Sequence, residues 1–329
     1  MATPAATKSR LTSPTSRAEL LAMPLDDVIF MMLDTETTGA DPAGDHCGPH
    51  KVIELAVLPF SVKARTRMRG GMEQIVDPGR PISPGSSTAH SLVNKDVAGS
   101  PSLEEVMPRF EAYVQDWPLV AYNSAFDYNM LKDTSFADRV WIDAYRVAMH
   151  VWAVGDKNKE GFPLESLKQQ ELRYWLGLEN IEGQAHRAMA DIIVTGMIFS
   201  RGVKHYRKLG LGGDTLGDFI NWVDSPLQLR TIPVGTRKMV GKTPAQLSMF
   251  DLKRIFDPSD ALYETYKRFN IDTFCEAEYM QRKAIEHAER MPPAATRNSV
   301  KWGAPPEAEV PAVDGGAETV VNRPRRNRP

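Results

Sequence analysis

Apolar residues in the first two thirds of the chain gather in short runs that predict the strands of a sheet. The run from Val28 to Leu33 is continuous and ends at an acid, which is typical of a strand buried on both faces at the centre of a sheet. Further apolar runs predict strands over residues 52–58, 72–76, 118–122 and 139–142.

Helical periodicity separates and follows these strands. Leu103, Val106, Phe110 and Val114 share one face of a helix predicted over residues 103–114. Other helices are predicted over residues 126–131, 164–176 and 188–199. Strands and helices in this order predict an α/β fold, with a mixed sheet and helices packed on its faces.

Shifts in composition divide the chain into four parts. Residues 1–24, rich in Pro, Ser, Thr and Ala, predict a disordered leader, and residues 25–205 carry the α/β pattern. Residues 206–290 have a helical periodicity of their own and predict a small, mostly helical domain of unknown role. Residues 291–329, rich in Pro, Ala and Arg, predict a disordered tail.

Bulk composition narrows the class of protein. With 42% hydrophobic and 25% charged residues among 329, the chain resembles a globular protein, and a net charge of −2 provides no overall basic field for nucleic acid. The two cysteines exclude a disulfide framework and a four-cysteine zinc site, and they favour a reducing, cytoplasmic location. Since no run of 18 apolar residues occurs, a membrane partner is not expected.

Two carboxylates stand at the end of the first predicted strand. Asp34 and Glu36 are two positions apart, so both side chains point to the same face of a strand. Two adjacent carboxylates repel each other unless a cation joins them, which makes a divalent metal ion the natural partner. The alternative is a strand that ends in an ordinary polar turn at Gly39.

Two later segments also bring an acid to the start of a helix. Asp127 follows Asn123 and Ser124 in a predicted first turn, and Asp191 follows His186 by five residues, in the second turn of its predicted helix. Helix capping explains each segment taken alone, as does a histidine packed in the core. The three acidic segments together, in this order, are what favour a shared site.

These segments carry a family resemblance. The runs Asp34–Gly39, Asn123–Asp127 and His186–Asp191 resemble the three motifs of the DEDDh, or DnaQ-like, superfamily of 3′–5′ exonucleases, which includes proofreading epsilon subunits and exonuclease X. The resemblance covers residues 27–200, and the spacing from His186 to Asp191 is similar to that of the histidine branch. It implies a ribonuclease H-like fold with a mixed five-stranded sheet flanked by helices.

Three departures from the family pattern stand out. The loop between Gly39 and Val52 is longer than in most relatives and holds Asp41, Asp45, His46, Cys47 and His50. Ser91 replaces a glycine, and Tyr122 stands where many relatives have histidine. The loop residues lack a recognised zinc spacing, so an ordinary surface loop is predicted there.

The resemblance implies roles for particular residues. Asp34, Glu36, Asp127 and Asp191 would hold two Mg²⁺ or Mn²⁺ ions, and His186 would be the general base that completes the catalytic set. Predicted contacts with the terminal nucleotide come from Thr35, Thr37, Leu55, His90 and Phe126. For Leu55 and Phe126, ordinary core packing is the open alternative.

The segment after residue 206 contains two weaker patterns. Residues 231–244 resemble a small module appended to some exonuclease X-like proteins and predict either a structural hairpin or a surface for single strands that uses Arg237, Lys238 and Lys242. Residues 246–252 resemble a short clamp-binding peptide, and the alternative is an ordinary amphipathic helix.

Three functions follow as hypotheses. The first is an exonuclease that removes nucleoside 5′-monophosphates from the 3′ ends of DNA, in repair, proofreading or degradation, with single-stranded nucleic acid and a polymerase or clamp as partners. The alternative enzyme trims RNA instead. The third is a catalytically silent module that tethers nucleic acid or a polymerase, for which a broken carboxylate set would be the sign.

Overall fold

The chain divides into two units, residues 1–283 and residues 284–329. The computed structural model describes residues 13–41, 43–63, 66–67, 70–179 and 187–290. Of the second unit, only the end of a helix is therefore described. No helix in the described ranges is both long and apolar enough to span a membrane.

A mixed sheet forms the centre of the first unit. Its strands are β1 (Phe30–Thr37), β2 (Val52–Ser61), β3 (Thr66–Arg67), β4 (Met72–Ile75), β5 (Leu119–Ala121) and β6 (Trp141–Asp143). The order across the sheet is β3-β2-β1-β5-β6, and β4 pairs with a different part of the same edge of β2. β1 is antiparallel to β2 and parallel to β5, so the predicted mixed sheet, five strands across, is confirmed.

Helices, joined by loops and turns, make up much of the described chain outside the sheet. They are α1 (Arg17–Ala22), α2 (Pro84–His90), α3 (Asn94–Val97), α4 (Leu103–Val114), α5 (Ala125–Leu131), α6 (Ala144–Val151), α7 (Gln169–Trp175), α8 (Ala188–Leu209), α9 (Leu216–Asp224), α10 (Met249–Ile255), α11 (Tyr263–Arg268) and α12 (Ile271–Arg290). Short 3₁₀ helices occur at Ser135–Asp138 and Pro244–Gln246.

Most predicted elements form, with shifted ends. β1 begins two residues later than predicted, because pairing with β2 starts at Phe30 opposite Phe60. α7 begins at Gln169 rather than at residue 164, since the Glu171 carboxylate accepts the backbone N–H groups of Glu165 and Ser166 and holds them in a turn. Residues 13–24, expected in a disordered leader, instead contain α1, which Ser16 caps.

The long helix α8 packs against the sheet at close range. A Cβ atom built on Gly196 would lie 2.8 Å from the ring of Phe60, so glycine allows helix and strand to approach here. The helix runs ten residues past its predicted end because Tyr206 packs against Phe219 and Trp222 of α9. It ends at Gly210, which has a left-handed backbone.

The segment after α9 shares a hydrophobic core with the sheet-bearing part. Ile232, Leu252 and Tyr266 are fully buried in one cluster with Ala148 and Ile198, so that apolar contacts cross the boundary predicted at residue 205. In place of a hairpin with strands, residues 232–242 form a loop closed by hydrogen bonds between Ile232 and both Gly241 and Lys242. The C-terminal region is helical, as predicted.

One arginine of α6 joins this segment to the sheet-bearing part. The Arg146 guanidinium donates to the backbone carbonyls of Val223, Asp224, Ser225 and Arg268, at 2.6, 3.3, 2.8 and 3.0 Å. All four acceptors are main-chain oxygens.

The resemblance to a clamp-binding peptide falls on a packed segment. Leu247 is 2% exposed and Phe250 is 71% exposed. Arg282 donates to the carbonyls of Leu247 and Ala245, both at 2.7 Å, which holds the segment against α12. This burial favours the amphipathic-helix alternative.

Candidate active site

The carboxylates of β1 form the centre of the candidate site. Asp34 and Glu36 are both half-buried, while the residues between and beside them, Leu33, Thr35 and Thr37, are buried on the opposite face. One carboxylate oxygen from each of Asp34, Glu36 and Asp191 lies within 4.8 Å of the others. Strand alternation thus places the first two acids together, and the fold adds the third.

Asp127 lies in the first turn of α5 and is held directly to β1. It is 2% exposed, and its Oδ1 atom accepts the backbone N–H of Thr35 at 3.0 Å and the Thr35 hydroxyl at 2.8 Å. The hydroxyl expected to contact substrate therefore orients a carboxylate.

Asp191, in the first turn of α8, is positioned by α7. The side-chain amide of Gln170 donates to Asp191 Oδ1 at 2.6 Å. The neighbouring Gln169 amide donates to the Asp191 carbonyl and to the Thr195 hydroxyl, both at 2.7 Å. Two adjacent glutamines thus fix both the carboxylate and its helix.

The electrostatics of the cluster are those of crowded, buried acids. Burial, with the neighbouring acids Asp127, Glu36 and Asp191, raises the pKa of Asp34 well above its usual range. Burial and the charge of Asp191 raise the pKa of Glu36 from 4.5 to about 8. Burial also raises the pKa of Asp127 to about 7, against the lowering effect of the Thr35 hydrogen bonds.

This arrangement fits a divalent metal ion. Hard cations prefer oxygen ligands, and the described donors here are carboxylate oxygens. A cation would also relieve the repulsion that raises these pKa values, since it favours the ionised form of each acid. The donor set and the electrostatics therefore agree on a metal-binding cluster of Asp34, Glu36 and Asp191, with Asp127 beside it.

His186, the predicted general base, lies outside the described residues. Its role stays a prediction. The chain resumes at Arg187, immediately before α8.

The predicted substrate contacts occupy different environments. Leu55 lies in the core with no exposed surface, whereas Phe126 is half-buried. The Thr37 hydroxyl donates to the Gly39 carbonyl at 2.8 Å. Nδ1 of the buried His90 accepts the Leu92 N–H, so the Nε2–H group can donate to the Thr37 carbonyl at 3.2 Å. Their contacts with a nucleotide stay predictions.

The departures from the family pattern have local structural explanations. Ser91 ends α2 with a φ of 65°, a left-handed conformation that suits glycine better than serine. The Tyr122 hydroxyl donates to the Leu167 carbonyl, which ties β5 to the segment before α7. A Cβ at Gly39 would lie 2.1 Å from the His50 ring, so this glycine makes room for the loop rather than bending the chain.

The long loop brings Asp45, His46 and Cys47 close together on the exposed surface. Asp45 accepts the backbone N–H of Cys47 at 2.8 Å and pairs with Arg80. The contact with Cys47 is that of an ordinary surface turn, and the ion pair ties the loop to Arg80, whose side chain is largely buried.

Sequence reasoning missed Gln170, Glu54 and Arg187. Glu54 was a visible signal, because an acid inside an otherwise apolar strand needs a buried partner. That partner is Arg187, which stands next to His186 in the sequence. Nothing in the sequence distinguishes Gln170 from other glutamines on helix surfaces.

The acids of β1 lie with those in the first turns of α5 and α8, and carboxylates grouped in this way suit the class of hydrolytic proteins that use divalent metal ions. Comparison with known proteins narrows that class. A model of the exonuclease family of the RNase T type matches residues 31–199, just over half of the chain. The chain belongs to this exonuclease family and has its ribonuclease H-like fold.

Individual relatives are similar over the same region. A DNA polymerase III subunit epsilon-like protein of Rhodobacter capsulatus is 28% identical over 197 residues, covering 58% of this chain and 26% of that protein. The PolC-type DNA polymerase III of Thermotoga maritima is 31% identical over 198 residues, covering 56% of this chain and 12% of that one. The chain thus spans about a quarter or less of these two relatives.

Among solved structures, exonuclease X in complex with 5′ overhanging duplex DNA is similar with a TM-score of 0.42. It is 22% identical, and the match covers 58% of this chain and 99% of that one.

Proposed function

We propose that the protein is a metal-dependent 3′–5′ exonuclease that removes nucleoside 5′-monophosphates from DNA. The observation that carries the proposal is the cluster of Asp34, Glu36 and Asp191 with Asp127 held beside it. The order of the three acidic segments, and the five-residue spacing from His186 to Asp191, support the histidine branch and hence the 3′ polarity.

Asp34, Glu36, Asp127 and Asp191 would hold two Mg²⁺ or Mn²⁺ ions. Bound ions of this kind activate water and stabilise the negative charge that develops on a phosphodiester during attack. His186 takes the proton from the attacking water, a task suited to a group that titrates near neutral pH. Thr35 and Gln170 keep the carboxylates aimed while that proton moves, because each donates to one of them.

RNA is the alternative substrate, since the same catalytic set serves both nucleic acids. A silent tethering module is the third hypothesis, and the intact carboxylate set argues against it. Because the chain covers so little of its polymerase relatives, a polymerase or clamp partner is also only proposed.

The test uses 5′-labelled single-stranded DNA and RNA of one sequence, with Mg²⁺, Mn²⁺ or EDTA. We expect stepwise shortening from the 3′ end that requires metal and is lost in Asp34→Asn. The matched control is Asp133→Asn, an exposed acid away from the cluster, which should behave as the wild type. Faster shortening of RNA than of DNA would show that RNA is the preferred substrate. If the protein binds either strand but shortens neither, the exonuclease hypothesis is wrong and the tethering module is the remaining hypothesis.

A further inference from the structure

A buried ion pair joins the strand β2 to the start of the helix that carries Asp191. Glu54 has no exposed surface, and Arg187 covers it with three contacts, the shortest from Nη2 to Oε1 at 2.6 Å. The Arg187 Nε–H group donates to both carboxylate oxygens, at 3.2 and 3.1 Å. This two-point grip holds the guanidinium in a fixed plane.

Glu54 also caps α8 from outside the helix. The first N–H groups of a helix have no partner within it, and the Arg187 side chain at the N-cap position makes no capping bond. Instead the Ala188 N–H donates to Glu54 Oε2 at 3.2 Å. A carboxylate at this end also interacts favourably with the helix dipole.

The capped turn is the one that bears the metal ligand. The Arg187 carbonyl accepts the N–H groups of Ala190 and Asp191, at 2.9 and 3.1 Å. Across the sheet, Glu54 lies directly opposite Glu36 in the pairing of β1 with β2. The ion pair therefore links the strand position opposite Glu36 to the first turn of α8, which carries Asp191.

Glu54 itself is already engaged as an acceptor and is absent from the cluster of ligand oxygens that Asp34, Glu36 and Asp191 form. Arg187 offsets charge as well as holding Glu54, because its guanidinium also faces Glu36 and Glu73, and the Glu54 hydrogen bond raises the pKa of Arg187.

We propose that Glu54 and Arg187 are positioning residues that set the separation between Asp191 and the carboxylates of β1, and so determine the affinity of the site for divalent metal. The proposal rests on the proposed function for its reaction, but the metal affinity can be measured without any substrate. If Mn²⁺ affinity depends on this pair but the protein degrades no nucleic acid, the proposed function is lost and the positioning role is kept.

The experiment is a calorimetric titration of metal-free full-length protein with Mn²⁺. Arg187→Gln and Glu54→Gln should each weaken Mn²⁺ binding by about 10- to 100-fold, the range for second-layer partners of metal ligands. Arg187→Lys keeps the charge but cannot make the two-point contact. Its Mn²⁺ affinity should therefore lie between that of these variants and that of the wild type. Where activity is present, kcat should fall while the KM for the oligonucleotide changes less than about twofold.

The matched control is Arg207→Gln at the other end of α8. Arg207 is exposed to the same extent, 35% against 34% for Arg187, and pairs with Asp26 and Asp214. Loss of its ion pairs should leave Mn²⁺ affinity unchanged. Equal weakening by Arg187→Gln and Arg207→Gln would overturn the proposal, as would wild-type affinity in Arg187→Gln.

A double variant separates positioning from the mere cost of an unpaired buried charge. Glu54→Met with Arg187→Met removes both charges at similar volume, and such replacements often leave stability intact. We expect a melting temperature near that of the wild type together with weakened Mn²⁺ binding, because the cap on Ala188 is gone. Recovery of full Mn²⁺ affinity in the double variant would show that the pair does not position Asp191.

Discussion

The carboxylate cluster and the segment of residues 226–283 differ in what they bury. The cluster buries acids beside one another, whereas the later segment buries apolar side chains and an acid that is hydrogen-bonded. In the cluster, burial raises the pKa values of Asp34, Glu36 and Asp127, and neighbouring cluster acids raise those of Asp34 and Glu36 further. In the later segment, Ile232 and Tyr266 fill a hydrophobic core, and the buried Asp251 accepts the Ser248 hydroxyl at 2.6 Å.

This difference separates residues kept for chemistry from residues kept for stability. Buried acids with raised pKa values destabilise the metal-free fold near neutral pH, and such acids cluster at functional sites. The later segment has no such conflict, and its packing against Ala148 and Ile198 adds stability to the unit as a whole. Mutations in the cluster should therefore lower activity and raise metal-free stability. Mutations in the core of the later segment should lower stability and leave activity largely intact.

The largest expected effect is at Asp34. We expect Asp34→Asn to lower nuclease activity by about 1,000-fold. In EDTA the same change should raise the melting temperature by about 2–4 °C, because asparagine avoids the cost of burying an acid whose pKa is raised in the folded state. Calorimetric melts with and without metal provide the measurement. A fall in metal-free stability would contradict the comparison.

The second effect belongs to the core of the later segment. Ile232→Ala should lower the free energy of unfolding by about 2–5 kcal/mol, since the side chain is fully buried. Nuclease activity of the protein that remains folded should be retained at low temperature. Phe250→Ala, at an exposed site of the same segment, should change the free energy of unfolding measured in urea by less than about 0.5 kcal/mol.

The third effect is a pH dependence in the absence of metal. The Glu36 pKa of about 8, raised from 4.5, means that the folded protein holds a proton the unfolded chain releases. Metal-free stability should therefore decrease as the pH rises from 4.5 to about 8 and then level off. Melting temperatures in EDTA test this, and Glu36→Gln should reduce the slope, whereas Asp133→Asn should not.

The smallest effect concerns a contact between the two regions. Arg268 donates to Asp143 Oδ2 at 2.7 Å and to Asn123 Oδ1 at 3.2 Å, and Asp143 in turn accepts the N–H of Asn123 ahead of α5. Arg268→Ala should lower kcat by about tenfold at most. Arg230→Ala breaks a comparable exposed pair with Asp156 and should leave kcat unchanged. Equal kcat in both variants would show that the segment acts only through stability.

Local pattern explains which parts of the site could be predicted. The two-residue period of a strand places Asp34 beside Glu36, so their pairing follows from the sequence. That Asp191 joins them came from the family resemblance, because no local rule brings together residues so far apart. The capping function of Glu54 depends on the register of β2 and the angle of α8, which are tertiary properties.

The same reasoning explains the errors at element ends. Residues 164–168 have an apolar spacing suited to a helix, but the Glu171 carboxylate competes for their N–H groups.

The hydroxyls of Thr35 and Thr37 look available in the sequence, and only the fold shows them turned toward Asp127 and Gly39.

The contacts of Arg146 bear on how the C-terminal segment can vary among homologous proteins. Because this arginine binds only main-chain oxygens of residues 223–225 and 268, substitutions of those residues preserve every acceptor. Sequence changes at these four acceptor positions therefore leave this contact intact, whereas loss of the Arg146 side chain would remove all four hydrogen bonds. A search for related appended segments should look for an arginine in the helix after the Trp141–Asp143 strand, rather than for similarity within the segment itself.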